Sequence, residues 1–138
     1  LVKALQTHEY VGEHQRKTLW QQIASKADDY NNPGRFTTFT GYEWSSSGNR
    51  KGFTGLHRVV IFKDSADKVN QVLPYSRMDS DNPEDLWRYF KRYEALTGGQ
   101  VLAIPHNSNT SNGGMSALSD FNDRALGCGI VRWTHHTF

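Results

Sequence analysis

One short segment constrains the fold of this chain more than any other: residues 56–62, LHRVVIF, form a nearly continuous apolar run. Runs of this kind are typical of strands that are buried on both faces, as in parallel sheets. Residues 35–44, RFTTFTGYEW, are rich in Thr and aromatic side chains and predict another strand. Residues 100–104, QVLAI, predict a third strand. The chain therefore contains three candidate strands.

Two helices are predicted beside these strands. Asn82 and Pro83 are typical of an N-cap and a first helical position, and Gly98-Gly99 is a typical helix end. Residues 14–30 predict an earlier helix, which the NNPG sequence of residues 31–34 ends. The apolar residues at helical spacing are Leu19, Trp20, Ile23, Ala27 and Tyr30 in the first helix, and Leu86, Tyr89, Phe90 and Tyr93 in the second.

The predicted order is helix, strand, strand, helix, strand, which favours an α/β fold with parallel strands. Residues 45–55 predict a loop, and residues 63–81 predict a long connection with one short helical turn. A length of 138 residues is typical of a single domain. The first residue is Leu rather than Met, so we expect a processed or partial product.

The charge balance argues against two classes of partner. Sixteen basic and 14 acidic residues give a formal net charge of +2, too balanced to indicate binding to nucleic acid or to an anionic membrane. No apolar run approaches the roughly 20 residues that span a bilayer. The single cysteine, Cys128, excludes an internal disulfide framework and a Cys-rich zinc site.

Three residues with metal-binding side chains lie near the ends of the predicted strands. Glu43 ends the first strand, His57 opens the second, and His106 follows the third. One carboxylate and two imidazoles form a suitable ligand set for zinc, manganese or iron. His57 precedes its strand, so it reaches the same edge only through a returning loop or a strand of opposite direction. The alternative is that each is an ordinary surface or strand-capping residue, because their spacing matches no compact zinc motif.

The residues just beyond the strands also include candidates for binding a substrate. Asn107 and Asn109 lie in a polar, Gly-containing loop whose amides suit an anion, although a flexible loop has the same composition. Arg58 and Arg50 carry the positive charge that attracts a phosphate. The expected substrate is therefore a small phosphorylated or other anionic molecule.

Several long segments, read in order, resemble the DUF3604 family, which is regarded as related to the PHP superfamily of metal-dependent phosphoesterases. The resemblance covers about residues 16–115, and the tail, residues 116–138, diverges. The segments that carry it are FTTFTGYEWSS, LHRVVIFKDSADKVNQVLPYS, PEDLWRYF and VLAIPHNSNTSNGGM.

The resemblance implies a fold and a site. The fold is part of a distorted β/α barrel of PHP type, or a small α/β sandwich derived from it. The site is a divalent-metal centre of zinc, manganese or iron, with Glu43, His57 and His106 as ligands and Glu43 as the bridge between metals. The implied activity is metal-dependent hydrolysis of the phosphoesterase type.

The sequence departs from the PHP pattern at both ends. An HxH pair normally precedes these motifs and a DxH pair follows them, and neither occurs here. The metal site of this chain is therefore expected to be incomplete, in either a fragment or a truncated member of the family. The alternative function is a non-catalytic relative that binds a ligand or oligomerises. Half a barrel exposes strand edges and apolar faces, so we expect a homo-oligomer.

Overall fold

The three strands form one sheet, and both of its strand pairs are antiparallel. A computed structural model describes residues 12–46, 56–107 and 111. The strand order is β1-β2-β3, so β2 lies in the centre. The elements, in chain order, are α1 (Glu13–Tyr30), β1 (Thr40–Ser46), β2 (Leu56–Phe62), α2 (Ala66–Val69), α3 (Pro83–Thr97) and β3 (Val101–Pro105).

The mixed α/β class and the predicted order of elements are confirmed, and the prediction of parallel strands is wrong for this sheet. The apolar run of β2 suggested a strand buried on both faces. In the structure Val60 is fully buried, whereas its neighbour Val59 is 36% exposed on the other face. A continuous apolar run therefore does not require two covered faces, and it carries no information on strand direction.

The ends of α3 follow from local signals in the sequence. The Asn82 side chain accepts a hydrogen bond from the backbone N–H of Glu84 at 3.0 Å, and Pro83 occupies the first turn. Gly98 has φ of 63°, the left-handed conformation that glycine adopts without strain. Leu86, Phe90 and Tyr93 of the predicted core face are buried, and Tyr89 is partly buried against the core.

Helix α1 has the predicted extent, but its buried face is narrower than the apolar spacing suggested. Only Trp20 and Ala24 are buried, whereas Leu19 and Ile23 are 54% and 49% exposed. Trp20 packs edge-on against aromatic rings of the sheet and donates from its indole nitrogen to the carbonyl oxygen of Val69 at 3.2 Å. The helix therefore contacts the sheet through a single row of residues one turn apart.

The core lies between the helices and one face of the sheet, which we call the inner face. Phe62 is the centre of an aromatic cluster on this face, 5.8 Å from the ring of Trp20 in α1 and 4.9 Å from that of Tyr93 in α3. The opposite or outer face is more open, with Ile104 44% exposed. None of the helices in the described part of the chain is long and apolar enough to cross a membrane.

Candidate functional site

The register of the sheet brings the three candidate ligands to one place on the outer face. Ser45 of β1 lies directly opposite His57 of β2, and Glu43 is two residues earlier on the same face of β1. Arg58 pairs with Pro105, so the next position along the strands places His106 beside His57. His57 needed a strand of opposite direction to lie near Glu43 and His106. Strand β2 is antiparallel to β1 and β3, so its start lies beside their ends.

The side chains of these residues contact one another and form what we call the Glu-His cluster: Glu43, His57 and His106. Nδ1 of His57 lies 2.7 Å from Oε1 of Glu43, and Nε2 of His106 lies 3.8 Å from the same oxygen. The two imidazole rings are 6.1 Å apart. Residues far apart in the sequence thus share one carboxylate oxygen in the structure.

The cluster lowers the pKa of the Glu43 carboxyl below its usual range. The main cause is the hydrogen bond from His57, and the charge on His106 acts in the same direction. The carboxylate is 52% exposed and the two imidazoles are about one third exposed, so all three are accessible from solvent. The cluster is therefore an accessible anionic oxygen flanked by two imidazole nitrogens.

The three side chains are of types that bind divalent metals, but their donor atoms do not have the separations found around a metal ion. Among the described residues, no group of three or more His, Cys, Asp or Glu side chains is arranged to hold a metal ion. Two ligands of a tetrahedral zinc ion, each about 2.0–2.1 Å from the metal, lie roughly 3.3 Å apart. The 2.7 Å separation between His57 and Glu43 is instead a direct hydrogen bond. Binding of a metal ion between these two atoms replaces this hydrogen bond, because a nitrogen that carries a hydrogen cannot bind the metal.

A further polar residue in contact with the cluster is Ser45, which the sequence analysis assigned to the start of a loop. Its Oγ lies 2.9 Å from Nδ1 of His57 and donates to Oε1 of Glu43 at 3.4 Å. The signal that identifies it is the period of two along a strand, because Glu43 and Ser45 then share one face. The loop prediction obscured this relation, since β1 extends to Ser46.

One of the four predicted substrate-binding residues lies beside the cluster. Asn107 accepts a hydrogen bond from the backbone N–H of His57 at 3.0 Å through its side-chain oxygen. This contact joins the segment after β3 to the start of β2. Asn107 therefore helps to hold two of the three candidate ligands together.

Arg58 lies on the inner face, and the structure does not bring it to the cluster. Its guanidinium carbon is 5.0 Å from the centre of the Trp87 ring, and burial lowers the pKa of the guanidinium. Strand alternation places it on the face opposite His57. Arg50 and Asn109 lie outside the described residues, as does the tail.

These observations define a small mixed α/β unit with an accessible Glu-His cluster at one end of an antiparallel sheet. A family model described as "Protein of unknown function (DUF3604)" matches residues 1–133. The chain therefore belongs to the DUF3604 family, and the match is wider than the stretch from 16 to 115 in which the resemblance was recognised. No curated protein matches the chain. No solved structure matches it.

Proposed function

We propose that the Glu-His cluster binds one divalent metal ion, zinc, manganese or iron, and that the chain carries a hydrolase site of the phosphoesterase type. The observation that supports this is the convergence of both imidazoles on one oxygen of Glu43, within 2.7 and 3.8 Å. Such a carboxylate and two imidazoles are the ligand types that borderline divalent metals prefer. The resemblance to PHP proteins implies the same chemistry.

Each residue of the cluster has a role in this proposal. His57 and His106 each supply a ring nitrogen, and Glu43 supplies a carboxylate whose pKa lies below its usual range. A bound metal supplies an activated water and polarises a phosphoryl oxygen. Asn109 and Arg50, which follow β3 and β1 in the sequence, remain candidates for contacting an anionic substrate.

The wider context we propose is part of a distorted β/α barrel of PHP type or a sandwich derived from it. The cluster lies at the end of the sheet where β1 and β3 end and β2 begins. The HxH and DxH pairs are missing from this sequence, so three ligands hold the metal weakly. A small phosphorylated molecule is the proposed substrate, and a homo-oligomer is the proposed assembly.

A second function is favoured by one specific contact. The 2.7 Å hydrogen bond between Glu43 and His57 satisfies both groups without any metal ion. A truncated relative that no longer catalyses a reaction and instead binds a ligand or oligomerises has no need of a metal at this position. The two functions therefore differ in whether the cluster takes up metal.

The test is the metal content of the purified protein, measured by elemental mass spectrometry, in the parent and in a Glu43→Ala, His106→Ala double variant. The control is Glu13→Ala, His14→Ala, which removes the same residue types from the exposed start of α1. The metal site predicts about one metal ion per chain in parent and control at equilibrium with each ion in dialysis, and loss in the double variant. Equal metal in all three proteins, or none in any, contradicts it.

A second measurement addresses the reaction. Hydrolysis of bis(p-nitrophenyl) phosphate by the metal-loaded parent, abolished in the double variant and retained in the control, supports the hydrolase function. Metal uptake without hydrolysis of this ester or of simple phosphomonoesters overturns the phosphoesterase assignment. No metal uptake, together with a dimer in sedimentation analysis, supports the non-catalytic function.

A further inference from the structure

We propose that Ser45 is a positioning residue of the Glu-His cluster, whose hydroxyl holds the His57 ring and the Glu43 carboxylate in a fixed relation. Nothing in the sequence motifs assigns Ser45 a role. The metal-binding part of this inference rests on the proposed function, whereas the hydrogen-bond part concerns the metal-free protein alone.

The backbone places Ser45 in the position that such a role requires. Ser45 and His57 are direct cross-strand partners on the outer face, whereas Glu43 is a diagonal neighbour of His57. Directly opposed side chains have Cβ atoms about 4.5–5.5 Å apart, and diagonal ones about 7–8 Å. A short side chain at Ser45 therefore reaches the ring, and the longer Glu43 side chain reaches it from further away.

The hydrogen atoms can be assigned from the three contacts. An ionised carboxylate only accepts hydrogen bonds, so the ring hydrogen of His57 is on Nδ1, which faces Glu43 at 2.7 Å. The Ser45 oxygen lies 2.9 Å from the same nitrogen and accepts from it, while its own hydroxyl donates to Glu43 at 3.4 Å. Ser45 therefore closes a ring of three hydrogen bonds and stabilises the Nδ1–H tautomer.

Removal of the hydroxyl affects the cluster in two ways. In the metal-free protein, Nδ1 of His57 loses one of its two acceptors, so the share of the Nδ1–H tautomer falls. In the metal-binding protein, Nδ1 of His57 has to lose its hydrogen before it can bind a metal beside Glu43, so the hydroxyl of Ser45 opposes metal binding at this nitrogen.

The experiment compares Ser45→Ala with Ser45→Thr, which keeps a hydroxyl and favours strands, and with Ser25→Ala on the exposed surface of α1 as control. Nitrogen-15 NMR of the metal-free proteins measures the His57 tautomer. Competition with a zinc-binding dye measures affinity for zinc alone. We expect Ser45→Ala to lower the Nδ1–H share and to bind zinc at least as tightly as the parent, with Ser45→Thr and Ser25→Ala close to the parent.

The outcomes separate this inference from the proposed function. An unchanged tautomer share in Ser45→Ala overturns the positioning role, even if the parent binds zinc. If the Nδ1–H share falls in Ser45→Ala and the parent binds no zinc, the positioning of His57 is supported and the metal site is overturned. An equal fall of the Nδ1–H share in Ser45→Ala and Ser45→Thr shows that the hydroxyl is not the group responsible, and this also overturns the positioning role.

Discussion

The two faces of the sheet divide the work of the protein. On the inner face Trp44, Val60 and Phe62 are completely buried under the helices. On the outer face Glu43, Ser45 and His57 form a polar network that solvent reaches. The comparison shows that adjacent residues of one strand have different roles, because successive side chains point to opposite faces. Stability therefore depends mainly on the inner face, and chemistry on the outer face.

The largest expected effect is at the centre of the inner face. Phe62→Ala removes a ring that contacts Trp20, Tyr42 and Tyr93 and leaves a cavity between sheet and helices. We expect a loss of about 3–5 kcal/mol in the free energy of unfolding, measured by urea denaturation. A loss below about 1 kcal/mol contradicts the assignment of this face as the main core.

The two valines in the middle of β2 provide a matched pair for the comparison. Val60 is fully buried on the inner face, whereas Val59 is 36% exposed on the outer face. We expect Val60→Ala to cost about 2 kcal/mol of unfolding free energy, and Val59→Ala about 0.5 kcal/mol or less. Similar losses for the two variants in the same denaturation assay contradict the distinction between the faces.

Arg58 is a charged residue on the mainly apolar inner face, and its replacement tests the difference between the two faces of the sheet. Its Nε is buried and has no hydrogen-bond partner among the described residues, and burial lowers the pKa of the guanidinium. Because burial disfavours a charged guanidinium, we expect Arg58→Met to leave the stability within about 1 kcal/mol of the parent or to raise it. Contact with Trp87 limits the gain. We also expect unchanged metal content by elemental analysis, because Arg58 faces away from the cluster; a loss of metal contradicts this placement.

The smallest effect concerns the ionisation of the outer face. Glu43 has its pKa lowered from the usual 4.5, mainly by His57. Its contribution to stability is therefore present above pH 4.5 and is lost as the pH falls through the lower pKa of the folded state. In His57→Ala we expect the pKa of Glu43 to rise toward 4.5, measured by carbon-13 NMR titration of the carboxyl. An unchanged pKa in that variant shows that the hydrogen bond is not the cause.

Local sequence signals predicted the helices well. The ends of α3 follow from Asn82, Pro83 and Gly98, whose preferences depend on hydrogen bonds and backbone torsions within a few residues. The position of His106 after β3 follows in the same way from the short apolar run that ends at Pro105. Such features depend on neighbours in the sequence, so they can be recognised without the fold.

The relation between strands was decided only by the tertiary structure. Sequence analysis proposed Glu43, His57 and His106 as one ligand set from their side-chain chemistry, yet it predicted parallel strands, and the structure joins the three residues through antiparallel ones. It also proposed Arg58 as a substrate-binding residue, whereas the register turns Arg58 to the inner face, away from the ligand set. Strand direction and register depend on pairing between segments up to 50 residues apart in the chain, as in the bond between His57 and Asn107. The sequence by itself thus determined the ligand types and the helices, and the pairing of distant strands decided which side chains meet, since backbone pairing sets the face of every residue.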